Sequence, residues 1–352
     1  MINMGKNTYI IGEIGQNHNG STEIAKLIID LASRTVDENL FNLKLKPMDA
    51  VKLTKRDLNF ELSNSQMERP YSSIHSFGNT YGAHREYLEL NDEEHFEVFQ
   101  HAKSKDLDFV ETLCAPSCLS ILNFFKPDYL KVASRDLTNL ILLHALAETR
   151  IPIILSTGMA GKRELDAALN LISKHHTNIS ILHCVSQYPT EPQNANLNTI
   201  KYLLNNYSDY IIGFSDHSIG IAMPLAAVAL GAKIIEKHIT IDRRMKGTDQ
   251  AGSLGPDGVN RMVRDIRLFE MSLGEEDIFI DDSVKDARLK LERSIASKRK
   301  ILKGEKIAIS DIHLLSPGDG IKWIDNDKII GTTALVDIET NEIIYPNLVA
   351  KI

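Results

Sequence analysis

The chain reads as a (β/α)8 barrel followed by a small β-rich module. Three observations predict this. Short apolar runs alternate with longer amphipathic ones eight times between residue 8 and about residue 275, the order of a parallel sheet with crossover helices. No Gly-x-Gly-x-x-Gly opening follows the first run, which favours closure over the other reading, a doubly wound open sheet. Polar residues gather at the C-terminal ends of the strand-like runs, where parallel α/β folds build their sites.

The strand-like runs lie at 8–14, 41–46 (Phe-Asn-Leu-Lys-Leu-Lys), 108–114, 129–134, 152–157, 179–184, 210–216 and 232–239. Helix-like stretches follow at roughly 22–34, 92–105, 117–126, 139–149, 162–175, 196–206, 219–230 and 257–274. Ser21 sits where an N-cap belongs, just ahead of the first helix. About forty-five residues separate the second strand from the second helix. A connection this long predicts a lid or a partner-binding arm. The texture changes after residue 275, where Glu275-Glu276-Asp277 opens an acidic stretch. Short strands and Gly/Pro turns follow, including Ser316-Pro317-Gly318-Asp319-Gly320. The expected division is a barrel over 1–278, a linker over 279–291 and a module over 292–352. A module this small is marginal by itself and is expected to dock.

Composition excludes several functions. Hydrophobic residues make up 43%, charged residues 25%, and the formal net charge is −7. Without a Lys/Arg block, nucleic-acid binding is disfavoured. No signal peptide and no run long enough to span a membrane is read. Cys114, Cys118 and Cys184 give no disulfide framework and too few ligands for a closed structural zinc site. The expectation is a reduced, cytoplasmic enzyme.

His217 and His238 cap consecutive strand-like runs joined by one helix, which brings them together in a parallel fold. Two imidazoles with open positions suit Mn²⁺, Zn²⁺, Co²⁺ or Fe²⁺ acting as a Lewis acid. Glu236 shares the parity of His238, and Ser215 that of His217, so Glu236 is expected beside the metal site. Lys44, Lys46 and Lys131 fall in strand-like runs, and an inward cation needs an anion. Thr112, Ser134, Ser156, Ser186 and Ser215 stand at strand ends and complete an anion cradle. Glu13 lies among apolar residues near the barrel mouth, where desolvation suits a carboxyl to proton transfer.

The motifs Glu-Ile-Gly-Gln-Asn-His-Asn-Gly-Ser, Lys-Val-Ala-Ser-Arg-Asp-Leu-Thr-Asn, Ile-Leu-Ser-Thr-Gly-Met, Phe-Ser-Asp-His-Ser and Glu-Lys-His-Ile-Thr occur in that order. With them the chain resembles the sialic acid (nonulosonic acid) synthase family over nearly its whole length, and its last segment resembles that family's antifreeze-like (SAF) domain. The stretches Glu68-Arg69-Pro70-Tyr71 to Thr80-Tyr81-Gly82 and Lys246-Gly247-Thr248-Asp249 look closest to the animal-type branch. The resemblance implies condensation of phosphoenolpyruvate with an N-acetylmannosamine-like aldehyde, giving a nine-carbon 2-keto acid and phosphate. It implies a divalent metal, foremost Mn²⁺ with Mg²⁺ or Co²⁺ as alternatives, on His217 and His238, and proton handling by Glu13. It assigns phosphoenolpyruvate to Lys44, Thr112, Lys131, Ser134, Ser156, Ser186 and Ser215, and the sugar to Asp136, Tyr188 and Asp249. It also implies a domain-swapped homodimer in which the small domain covers the partner's site.

Two departures stand out. Ser316 replaces an arginine that holds the sugar N-acetyl group in many bacterial members, leaving Lys322 and Arg135 as candidate substitutes. The family's Lys-Phe-Gln is matched to Lys44-Leu45-Lys46, so Lys46 is expected to favour a phosphorylated or otherwise altered acceptor. The rival readings are another phosphoenolpyruvate-dependent sugar acid synthase and a catalytically silent sugar-binding relative.

Overall fold

Residues 7–350 are described by a computed structural model. The chain divides into two compact units, Met1–Gly274 and Glu275–Ile352. The acidic stretch from Glu275 therefore groups with the second unit.

The first unit opens with β1 (Tyr9–Gly15) and α1 (Thr22–Ala32). Ser21 caps α1, its side chain accepting from the Ile24 N–H at 3.3 Å. An antiparallel hairpin of β2 (Val36–Glu38) and β3 (Leu43–Leu45) comes next, then β4 (Ala50–Lys55). The long connection carries α2 (Leu58–Glu61), α3 (Asn64–Met67) and α4 (Tyr81–Leu88) before α5 (Asp92–Ser104). Strands β5 (Asp108–Leu113), β6 (Tyr129–Val132), β7 (Ile153–Ser156), β8 (Ile179–Cys184), β9 (Ile211–Asp216) and β10 (Ile234–His238) follow. Between them lie a 3-10 segment at Pro116–Asn123 and helices α6 (Leu140–Glu148), α7 (Lys162–Ile172), α8 (Asn198–Asn206) and α9 (Ala222–Ala229). The last helix is α10 (Pro256–Ser272). Eight strands, β1 and β4 to β10, close a parallel barrel in which β10 pairs with β1.

The second barrel strand is not the expected 41–46. Leu43–Leu45 forms a strand, but in the outlying hairpin, where Lys44 is exposed. A barrel strand is covered on both faces. Ala50, Val51, Lys52 and Leu53 are all buried and pair with β1 and β5. The alternating pattern of 41–46 reads as a half-exposed strand and becomes one. The run behind Pro47, Ala50–Lys55, takes the place in the barrel.

The lower barrel interior is filled by Tyr9 and Ile11 from β1 and by Ala50, Val110, Tyr129, Ile154, Leu182 and Ile234, one from each of the other strands except β9. On β9 the interior position is Gly213, where a Cβ would lie 2.5 Å from both the Ile234 carbonyl oxygen and Leu182 Cδ2. Only glycine lets those neighbours meet. Each large apolar side chain buried there contributes about 1.5–3 kcal/mol. Helix α10 locks the closure from below. Arg267 donates to Asp49 at 2.9 Å and to the Thr8 carbonyl at 2.7 Å, and Asp49 also accepts from the Ile10 N–H at 2.8 Å.

The second unit holds α11 (Lys285–Leu291) and an antiparallel pair, β11 (Ser294–Ser297) with β12 (Ile312–Leu315). Isolated bridges such as Ile301 with Ile338 and Lys306 with Thr333 extend it. Its core is nearly all isoleucine, from Ile295 to Ile344.

Burial, with some help from His95, holds His18 down to about 3, and burial lowers His183 as well. In the unfolded chain both titrate near about 6.5. Between those values the unfolded chain binds protons that the fold refuses, so stability falls as pH drops through the window. Denaturant unfolding at pH 7 and pH 5 should show a loss of up to about 1.4 kcal/mol per pH unit for each histidine. His18→Asn should flatten this slope, and an unchanged slope would count against the assignment.

Candidate active site

At the C-terminal ends of the strands the barrel opens into a cavity of about 340 Å³. Its floor is a ring of charge one layer above the apolar interior. Glu13 from β1, Lys52 from β4, Lys131 from β6 and Glu236 from β10 all point inward and are all buried. Lys52 Nζ contacts Glu13 Oε2, lies 3.8 Å from Glu236 Oε1, and donates to Thr112 Oγ1 at 3.2 Å. Lys131 Nζ lies 3.9 Å from Glu236 Oε2 and donates to Ser156 Oγ at 2.6 Å. Ser215 donates to Glu236 Oε1 at 2.9 Å.

The two carboxyls are driven apart. Burial raises Glu13 most; Lys52 opposes, Glu236 adds to the rise, and the net lies above the usual carboxylate range. Burial works against the Glu236 charge too, but Lys131 and then Lys52 outweigh it and hold that carboxyl low. Burial lowers Lys131 against the pull of Glu236. This is the pattern of one poised and one permanently ionised carboxyl.

Hydroxyls ring the floor as expected: Thr112, Ser134, Ser156, Ser186 and Ser215 all line the cavity. Gly158 is pressed among them. A Cβ there would lie 2.4 Å from Ser186 Oγ and 2.8 Å from Ser134 Oγ. Its N–H donates to Ser134 Oγ at 3.0 Å, which turns that hydroxyl's proton toward other acceptors.

His217 and His238 come together, ring centroids 5.5 Å apart. His217 Nδ1 lies 2.9 Å from the Val185 carbonyl oxygen, which as acceptor assigns the proton to Nδ1 and leaves the Nε2 lone pair free. Burial lowers His238 against the opposing pull of Asp249 and keeps it neutral. Its Nδ1 is buried without a hydrogen-bond partner. Two imidazoles, each with a ring nitrogen that no protein group takes up, fit a divalent ion. Among the described residues no group of three or more His, Cys, Asp or Glu side chains could hold one, so such an ion would take oxygens from substrate or water. The Tyr188 ring lies against His217 with centroids 4.0 Å apart and planes tilted by 38°, and Tyr188 and Asp249 both line the cavity.

Three expected contacts lie elsewhere. Lys44 is exposed on β3. The Lys46 side chain is 59% exposed and pairs with Asp49 below the barrel. The cradle cation on the second strand is Lys52, followed two residues later by Thr54 rather than by a cation. The signal was available: Ala50-Val51-Lys52-Leu53 is an apolar run broken by one lysine, as Tyr129-Leu130-Lys131-Val132 is. Asp136 pairs with Arg135 at 3.2 Å and lines a neighbouring cavity rather than this one. Arg135 lines both. Of the other substitute cation, Lys322, the described partners are Glu292 and the Gly318 carbonyl, inside its own unit. The unanticipated lining residues Gln16 and Arg56 come from loops and Arg85 from α4, where side-chain directions follow no strand parity.

Comparison with known proteins shows the family. The NeuB family model matches residues 44–277 and the SAF domain model residues 292–350. The chain is 32% identical to human N-acetylneuraminate-9-phosphate synthase, covering 97% of this chain and 92% of that protein. It is 30% identical to N,N'-diacetyllegionaminic acid synthase of Legionella pneumophila, over 92% and 89% of the two chains. The solved structure of N-acetylneuraminic acid (sialic acid) synthetase from Leptospira borgpetersenii, in complex with citrate, superposes with a TM-score of 0.66 at 30% identity, covering 80% of this chain and 90% of that one. The chain belongs to the NeuB family and carries a SAF domain.

Proposed function

We propose that the protein is a nonulosonic acid synthase. It joins phosphoenolpyruvate to the aldehyde of an N-acetylmannosamine-like amino sugar, consumes water, and releases phosphate and a nine-carbon 2-keto acid. The observation that carries this reading is the pair Lys52 and Lys131, buried at the head of an apolar barrel, ringed by hydroxyls and set beside two imidazoles. Relatives named for N-acetylneuraminate 9-phosphate and for diacetyllegionaminic acid stand at 32% and 30% identity, so the reading is stated for the class.

The chemistry follows from the charges. Lys52 and Lys131 neutralise the carboxylate and phosphate of phosphoenolpyruvate, and Thr112, Ser134, Ser156 and Ser186 donate to their oxygens. Lys131 in particular is costly to bury as a cation, so an arriving anion is attracted where the floor is least satisfied. C3 of the enol attacks the aldehyde carbon; one C–C bond forms and the carbonyl electrons pass to oxygen as an alkoxide. Positive charge then develops at C2, where Glu236 stays ionised and offsets it. Water adds at C2, and Glu13 takes its proton. The C2–O bond to phosphate then breaks, the C2 hydroxyl proton leaves with the phosphate, and the proton held by Glu13 passes to the alkoxide, leaving the ketone beside a new hydroxyl. A divalent ion on His217 and His238, most simply Mn²⁺, would polarise the aldehyde and hold it against the enol. Tyr188 and Asp249 bound the acceptor side. We propose a reducing cytoplasm as its compartment, in keeping with the free thiols Cys114, Cys118 and Cys184, and a homodimer whose exchanged SAF domains cover the two sites.

Phosphate release from phosphoenolpyruvate should require both a divalent metal and a hexosamine acceptor. Chelation or His238→Ala should lower kcat by about 10²-fold or more, and full activity in metal-stripped protein would refute the metal. Lys52→Met should raise KM for phosphoenolpyruvate about tenfold or more, while Lys44→Met leaves it unchanged; the reverse pattern would restore the original placement. Because Glu13 must be ionised to accept a proton, activity should fall as pH drops through its raised value. The acid limb of kcat/KM should therefore lie above the ordinary range near about 4.3. In Glu13→Gln, kcat should fall by about 10²–10⁴-fold and the limb should vanish; its persistence would remove Glu13 from the role.

A further inference from the structure

The main cavity meets a second cavity of about 310 Å³ at three arginines, Arg56, Arg85 and Arg135, which line both. The floor lysines and both histidines line only the first. The junction is thus a cationic station at one side of the aldehyde site.

The three guanidinium groups are not equivalent. Arg56 and Arg135 share one carboxylate oxygen, Glu61 Oε2, each at 3.0 Å. Arg135 also holds Asp136, and Arg56 lies 3.6 Å from Glu89. Arg85 has only neutral partners. Its Nε donates to Tyr81 Oη at 2.9 Å, its guanidinium lies 5.0 Å from that ring's centroid, and another N–H donates to the Gln16 side-chain oxygen. Among the described residues no carboxylate pairs with it. Arg85 is therefore a full positive charge, oriented in advance by neutral groups, facing the shared space. Glu61 is a poorly served counter-ion: its Oε1 is buried without a partner, and burial raises its pKa against both arginines.

We propose that Arg85, flanked by Arg56 and Arg135, is an anion subsite for a phosphate monoester carried by the acceptor sugar. The proposal rests on the synthase reading above and adds the acceptor's class. Arginine forks match phosphate oxygens in pairs, which lysine does not. A dianionic phosphate compensates the three arginines more fully than Glu61 can and displaces it from the pair. An amino sugar with its aldehyde at His217 and His238 and a phosphate at its other end would span the first cavity to the junction.

The test compares N-acetylmannosamine with its 6-phosphate as acceptors. In the unaltered enzyme kcat/KM should favour the phosphorylated sugar by about tenfold or more. In Arg85→Gln that ratio should collapse toward one, whereas Lys46→Gln should keep it. The ratio is internal to each preparation, so partial unfolding of a variant does not move it. Equal efficiency for both acceptors in the unaltered enzyme, or a ratio unchanged in Arg85→Gln, overturns the proposal. If neither sugar reacts, the synthase reading itself is at fault, and calorimetry with mannose 6-phosphate against mannose decides the subsite. Phosphate-dependent binding lost in Arg85→Gln supports it; binding indifferent to the phosphate or to Arg85 rejects it.

Discussion

Four buried charges govern this molecule. Glu13, Lys52, Lys131 and Glu236 come from four strands and meet at the one level of the barrel where apolar filling stops. Opposite charges about 4 Å apart attract by about 4 kcal/mol at an effective dielectric near about 20. Removing one member of such a buried set costs about 3–5 kcal/mol, because a partner is left unpaired. The ring is balanced by itself, so the barrel closes without a ligand. It is also strained toward anions, since burial pulls Lys131 down while Glu13 is pushed toward its neutral form. Fold and chemistry draw on the same contacts.

Much of the barrel was legible because its signals are periodic. Seven of the strand-like runs coincide with barrel strands to within about two residues. Parity along β9 and β10 placed Ser215, Glu236 and His238 on one face, where they are found. The second strand failed for a physical reason. Leu43-Lys44-Leu45 has the cleaner alternation, but alternation marks a half-exposed strand, and it became an exposed hairpin. The true strand begins with four buried residues, covered on both faces, so its pattern is nearly continuous and shows no alternation. Lys52 was missed with it, and Lys44 and Lys46 were credited in its place.

The loops were the least readable part. Arg56 and Arg135 reach the cavity from a loop and a short 3-10 turn, and Arg85 from α4, none of which follows the strand parity that sorts inward from outward positions. Arg85 depends on α4, which stands on an aromatic cluster in which Phe77 stacks on Tyr87 at 4.7 Å and Tyr71 lies 4.7 Å from the buried His84. That cluster explains why a connection of this length is ordered enough to present a charge. The same insertion was expected to be a lid or arm; its described contribution to the cavity is Arg56 and Arg85.

The closure of the barrel sets a timetable for synthesis. Strand β1 pairs with β10, Glu13 opposite His238, 225 residues later in the chain, and α10 with Arg267 comes later still. At about 5–20 residues per second a ribosome needs roughly 10–45 s to deliver that partner. Throughout this interval the nascent β1 has one edge without its final mate, and Glu13, two positions from its end, waits near Lys52 alone. Such an edge invites pairing with other nascent chains. The exposed N-terminal strand of a growing polypeptide is therefore where chaperone protection matters most for this protein.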